Sequence, residues 1–449
     1  MNHLPTVSRA RWLLMGLFAL TGITFSSWLA RIPTVRDLLH LSTGELGLML
    51  LIGSVGALMT VTFAGLIVQR YGSRVSLVAS TAVLAVGYVL MGVGPTAGSV
   101  TLLGVGIFLN GVAIALGNVP LNVESARIER AMGRTVIPQF HAAFSIGAVV
   151  GSVIGAVASH RGVSVALQFS VLALVAVVWR LASLRGVVLA AAPGDRPRIV
   201  PVLAALPEGA TLTAGRRRRI ASSLDSWREP RTLLIGVVVM AAALSEGSAN
   251  DWLSLAVVDG FDQPEAIGAA MLGVFVGAMT LVRLLGTRLI DTFGRVPVLR
   301  VSGTVSLVGL LLFGFAPSLA LAGVGVIAWG FGAALAVPIG IAAASDDPMR
   351  SAGRVAVVSS FASVASIAAP PLLGIAAAST GARHALVLIA VAMVASVALA
   401  SRVAREEPVD EPAPVAVLVP ERVPERVPEH SQHLVVTRRT RRRRLARVS

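Results

Sequence analysis

The sequence predicts an all-α membrane protein of twelve transmembrane helices arranged as two pseudo-symmetric six-helix halves. Three observations lead there. Of 449 residues, 55% are hydrophobic and 14% charged, and the mean hydropathy of +0.80 is far above that of soluble domains. Apolar runs of about 20 residues, enough to cross ~30 Å of hydrocarbon as helix, recur twelve times. The two sets of six match one another at a shift of roughly 220 residues.

The first six runs are placed at about 12–30, 45–68, 76–94, 100–122, 138–159 and 163–184, the second six at about 232–257, 265–289, 297–315, 318–341, 354–378 and 384–404. These bounds divide the chain into an N-terminal half (1–184), a polar Pro- and Arg-bearing linker (185–231), a C-terminal half (232–404) and a tail (405–449). The tail holds Pro420-Glu421-Arg422-Val423-Pro424-Glu425-Arg426-Val427-Pro428, a low-complexity run that cannot build a core and is expected to be disordered. The first run is longer than a signal-peptide core and ends in Trp28-Leu29-Ala30-Arg31 without a clear cleavage site, so it is read as span 1.

A net charge of +15 in a soluble protein would point to nucleic acid, but here the arginines gather in loops and tails such as Arg216–Arg219 and Arg438–Arg447. Charge facing anionic lipid accounts for them, and no nucleic-acid partner is expected. There is no Cys, which removes disulfides and thiolate metal sites, and no cofactor motif is found. With both termini inside, the segments on that side, together with the arginines just inside the adjoining span ends (Arg180, Arg288, Arg300, Arg354 and Arg402), carry 33 Arg against 4 outside, and 12 against 4 when the long linker and tail are set aside. The expected location is the inner (cytoplasmic) membrane with both termini cytoplasmic.

Within the repeat, Ser27-Trp28-Leu29 answers Asp251-Trp252-Leu253, and Gly117-Asn118-Val119-Pro120 answers Leu335-Ala336-Val337-Pro338. Gly155 and Gly162 fall on Gly374 and Gly381. Between spans 2 and 3, Gly65, Arg70, Gly72 and Arg74 match the signature loop of the major facilitator superfamily, with Gln69 where that family carries Asp. Gly286, Asp291 and Gly294 repeat the pattern in the second half, with Thr292 at its basic position. The blocks Trp28-Leu29-Ala30-Arg31-Ile32-Pro33, Glu45-Leu46-Gly47, Glu129-Arg130 with Gly133-Arg134, Phe140-His141, and Glu246-Gly247 with Asp251-Trp252 resemble a bacterial branch of that superfamily distantly related to sugar-proton symporters. The resemblance implies the twelve-span fold, a monomer, and transport of a small solute by alternating access. It also implies an inner gate at the signature loops with Asn118 and Asn122. Asn118 replaces the branch's usual Asp.

Glu246 lies about fourteen residues into span 7, roughly 21 Å from its inner end, where an ionised carboxylate is expensive. It is expected to face water and carry proton coupling or contact substrate, unless Ser245, Ser248 or Asn250 simply satisfies it. Asn110 and Trp329, near the middle of spans 4 and 10, are candidates to contact substrate or to pack helices. Arg31 and Asp251 are a candidate outer-gate pair, or solvated surface charges. His141 reads as an interfacial hydrogen-bonder, Arg283 as an arginine snorkelling inward, Gly147, Gly151 and Gly155 as a close-packing ridge, and Pro370-Pro371 as a kink or the source of a free carbonyl. No nucleotide-binding or catalytic motif is found, so energy is expected from an ion gradient, with protons the expected partner, or from the solute's own gradient. The function expected is secondary active transport. Export of amphipathic compounds or drugs is the alternative within transport, and a non-transporting sensor or scaffold the alternative outside it. Sparse cavity charge weighs against highly anionic substrates.

Overall fold

A computed structural model describes residues 4–133, 136–188, 225–347 and 350–405. Most of the expected linker and the tail lie outside the described residues. Helices α1 (Leu4–Leu29), α2 (Ile32–Leu38), α3 (Thr43–Thr96), α4 (Val100–Met132), α5 (Ile137–His160) and α6 (Val165–Val187) form the first half. The second is built from α7 (Pro230–Phe261), α8 (Glu265–Phe293), α9 (Arg295–Phe315), α10 (Leu319–Ala333), α11 (Ala336–Ala344), α12 (Ser351–Thr380), α13 (Ala382–Val387) and α14 (Ala390–Ala398), closed by a 3-10 turn at Ala400–Val403.

Eleven segments among the described residues are long and apolar enough to cross a membrane. The expected twelfth span is present but broken into α13, α14 and the final turn, its apolar part covering Ala382–Ala398. Spans 2 and 3 run on as α3, whose one non-helical residue is Gly72 at φ 85°, ψ 163°. Gly294, between α8 and α9, adopts φ 81°, ψ 163°. The two signature glycines therefore share one left-handed conformation, accessible to Gly because it lacks a Cβ. Gly162 (φ 65°) and Gly381 (φ 78°) repeat the correspondence at the other end. The duplication read from sequence is thus present in the backbone.

Pairings repeat as well: α1 packs on α5 as α7 packs on α12, and α3 on α4 as α9 on α10. The halves meet where α5 lies against α8 and α3 against α12. Glycine sets the closest approaches. A Cβ on Gly147 would fall 2.0 Å from the Ala19 carbonyl oxygen, and one on Gly22 2.0 Å from that of Phe144, so the α5 ridge packs against α1 as expected. Large apolar side chains such as Leu174, Val178 and Val391 stay exposed on the bundle's outside, where lipid would cover them.

Proline places several backbone carbonyls. A proline cannot donate to the carbonyl four residues earlier, leaving that oxygen for another partner. Pro120 frees Leu116, whose oxygen accepts from Ser76 at 3.0 Å. Pro370 frees Ser366, which accepts from Ser54 of the other half at 3.3 Å. Pro338 frees Ala334 at the α10–α11 break, and this oxygen accepts from Arg283 Nε at 3.2 Å.

Candidate functional site

The end of the bundle where α1 begins and the Gly72 and Gly294 turns lie is termed the terminal end; at the far end, α1 passes to α2 and α7 to α8. The far end is closed by side chains crossing between halves. Arg31, 4% exposed, lies 3.3 Å from the Glu265 carboxylate and donates to Gln168 at 3.0 Å and to the Val163 carbonyl at 3.1 Å. Glu265 also accepts from the Thr34 backbone N–H at 2.9 Å, and Arg36 is paired with Asp259. Burial lowers the pKa of Arg31 from its ordinary value, and the nearby Glu265 charge offsets part of that. Of the two readings for Arg31, a pair with Asp251 or a solvated surface charge, neither describes this conformation, since Arg31 is buried. In this conformation Asp251 makes no hydrogen bond or ion pair with the described residues, and Glu265, the repeat counterpart of the helix-capping Glu45, takes its place.

Toward the terminal end the halves separate around two cavities. One of about 800 Å³ lies between α3, α4 and α12, lined by Ser54, Leu58, Asn118, Asn122 and Ser363 among others. The other, about 660 Å³, lies between α1, α5, α8 and the α10–α11 break, and is lined by Arg11, Gln139, His141, Thr280 and Arg283. The signature loops are unlatched here: Arg70 lies over its neighbour Tyr71, and Asp291 forms no ion pair with the described residues. Charges near this end bind within one half. Arg231 and Arg295 hold Asp346, and Arg350 and Arg354 hold Glu229. Burial would raise the Glu229 pKa, but hydrogen bonds from Arg354 and Thr232 and the charges of Arg354 and Arg350 outweigh it and hold it below the ordinary value.

Glu246 meets Arg283 beside the second cavity, its Oε2 accepting from Nη2 at 2.7 Å. The expected snorkelling of Arg283 toward the inner membrane face is corrected: its guanidinium turns into the bundle, Nε donating to the Ala334 carbonyl and Nη2 to the Glu246 carboxylate. Neither Ser245 nor Ser248 satisfies Glu246. Ser245 instead accepts from the Trp329 indole N–H at 2.8 Å. Trp329 is 0% exposed and wedged against Phe275 and Phe313, so of its two readings, solute contact or helix packing, this conformation shows packing. Asn110 is likewise buried, its backbone N close against Gly87 of α3. Asn118 and Asn122 do line a cavity. Gly65 has open space around it, and Arg74 takes no part in the ion pairs described.

Paired multi-span halves, sealed at one end and hollow between them at the other, define a polytopic membrane transporter rather than an enzyme. The family model described as Major Facilitator Superfamily matches residues 10–355 and, in a second match, 237–444, and the chain belongs to that family. An uncharacterized transporter of Sinorhizobium fredii is 28% identical over 362 residues, covering 80% of this chain and 89% of its own. The solved nucleoside transporter NupG is similar in fold with a TM-score of 0.67 at 12% identity, over 90% of this chain and 99% of its own. A bacterial homolog of the human lysosomal transporter Spinster, solved inward-facing and unoccupied, gives a TM-score of 0.63 at 16% identity, over 90% of this chain and 99% of its own.

Proposed function

We propose that this chain is a secondary active transporter that moves a small solute by alternating access, with proton movement coupled through Glu246 and Arg283. The observation that carries the reading is the 2.7 Å pair joining α7 to α8 at the edge of a cavity between the halves. A carboxylate at this depth is stable when a guanidinium neutralises it or when it is protonated, and costly otherwise. Arg283 and a proton therefore compete for Glu246. Any motion or solute that draws Arg283 away favours proton uptake, and its return expels the proton, which links protonation to conformation. Both termini are assigned to the cytoplasm on the Arg distribution, which makes the present conformation open to the cytoplasm. Fusion reporters after Arg74 and at the C-terminus test this by reading cytoplasm.

The apolar lining of the 800 Å³ cavity, from Leu58 and Val61 to Val119 and Ile367, favours a second reading in which amphipathic compounds are exported. Purified protein in proteoliposomes loaded with a pH-sensitive dye tests the main one. Addition of a transported solute should move protons, in the direction of the solute for symport and against it for antiport. Solute flux with no proton movement would overturn the coupling, and absence of any solute flux across a broad metabolite and drug panel would favour a non-transporting role.

A further inference from the structure

The 660 Å³ cavity gathers positive charge from two helices and an imidazole from a third. Arg11 of α1, Arg283 of α8 and His141 of α5 all line it, and its lining includes no Asp or Glu among the described residues. Glu246, on the far side of Arg283, is the carboxylate that answers this group. The Arg11 Nη2 donates to Gln139, while its Nε is buried without a hydrogen-bond partner. Apart from Gln139, Ser145 and Thr280, the remaining wall is apolar, including Met15, Phe144, Leu284 and Ile290. Its volume is that of a small-molecule site.

We infer that this cavity takes the carboxylate of a small organic anion whose apolar body lies against the α5 and α8 wall, an inference that rests on the coupling reading above. A neutral solute would leave the two guanidiniums, Arg11 and Arg283, facing one carboxylate, Glu246. An incoming carboxylate is drawn to these guanidiniums and can accept from Arg283 in place of Glu246. Substrate and Glu246 then compete for one guanidinium. When the substrate wins, Glu246 is left unpaired at depth and takes a proton, so one anion and one proton enter together and the loaded site carries no added net charge. Sparse charge along the sequence gave no sign of this, because Arg11, His141 and Arg283 are brought together only by the fold.

The test is binding to the full-length protein in detergent, with benzoate and hexanoate as probes and benzamide, hexanamide and benzylamine as their uncharged and cationic counterparts. At least one carboxylate should bind roughly tenfold or more tightly than its amide, with benzylamine weakest, and more tightly as the pH falls toward 6. Arg283→Gln should reduce the carboxylate to the level of its amide. Glu246→Gln should act in the opposite sense, tightening carboxylate binding because the competitor is gone, and together with His141→Gln, which removes the other titratable group of the wall, should abolish its pH dependence. A merely structural pair would make both variants weaken binding alike, and that result overturns the inference, as does equal binding of amide and carboxylate or no binding of either acid. The coupling reading stands or falls separately. Proton-coupled flux of a neutral solute would sink the anion site and leave coupling intact, whereas carboxylate binding with no solute-driven proton movement would do the reverse.

Discussion

Arg31 joins both halves through a single guanidinium, and its substitution should be felt at the whole far end. Removing one partner of a buried ion pair strands the other at a cost on the order of 3–5 kcal/mol, enough to shift a conformational equilibrium strongly. The chain has no Cys, so one engineered Cys reports unambiguously. With Cys placed at Ser152, buried between α5 and α8 and hydrogen-bonded to Ser26, a membrane-impermeant maleimide should react slowly in the parent. Arg31→Gln or Glu265→Gln should speed that reaction by about tenfold or more; an unchanged rate would mean that the pair does not hold the far end shut. Glu229 makes a pH prediction. Its folded pKa lies below the ordinary 4.5, so the stability it contributes is present above that value and is lost as pH falls through the folded pKa. Thermal midpoints in detergent should drop on such acidification, and less so in Glu229→Gln. At this scale the sequence was partly legible. Glu246 stood out because a carboxylate deep in an apolar run is costly, but its partner did not, since distance along α8 says nothing of which way Arg283 turns. For Trp329 and Asn110 solute contact and helix packing stayed equally open, because depth along a helix is readable and facing is not.

Between residue and bundle, glycine and proline decide how the helices meet. Gly147 admits the Ala19 carbonyl so closely that even Gly147→Ala forces α5 and α1 apart, an overpacking cost of at least about 1–3 kcal/mol. That variant should lose monodispersity in detergent or melt well below the parent, whereas Gly65→Ala, with open space around it, should not. The ridge was legible because Gly147, Gly151 and Gly155 recur at helical spacing. Pro338→Ala gives residue 338 an N–H that can reclaim the Ala334 carbonyl from Arg283. The thermal midpoint should move little, since one hydrogen bond replaces another, while solute-driven proton movement falls several-fold as Arg283 loses its anchor, an effect of about 1.5–3 kcal/mol at most. A variant with normal coupling would show that the freed carbonyl is incidental. Which donor would claim a freed carbonyl could be read at none of the three prolines, because each donor sits on another helix. The broken last span also escaped the sequence, whose apolar run there is continuous.

At the scale of the molecule, hydropathy and the repeat carried nearly all of the architecture, since lipid leaves a spanning chain few alternatives to helices. The matched Gly72 and Gly294 turns and the repeated helix pairings realise the duplication in space. What the sequence could not convey was the conformational state, because a transporter's sequence is compatible with every state of its cycle. The structure is in one of them, closed across Arg31 and Glu265 and parted toward the terminal end. The central claim is that Glu246 exchanges Arg283 for a proton during that cycle. Its most direct test compares the parent with Glu246→Gln in proteoliposomes, using whichever solute the dye assay identifies and measuring both solute exchange and accumulation under an imposed pH gradient. Gln mimics the protonated carboxyl permanently, so the variant should still exchange solute across the membrane yet fail to concentrate it. Accumulation equal to the parent's, with the same dependence on pH, would contradict the account and make Glu246 a packing residue.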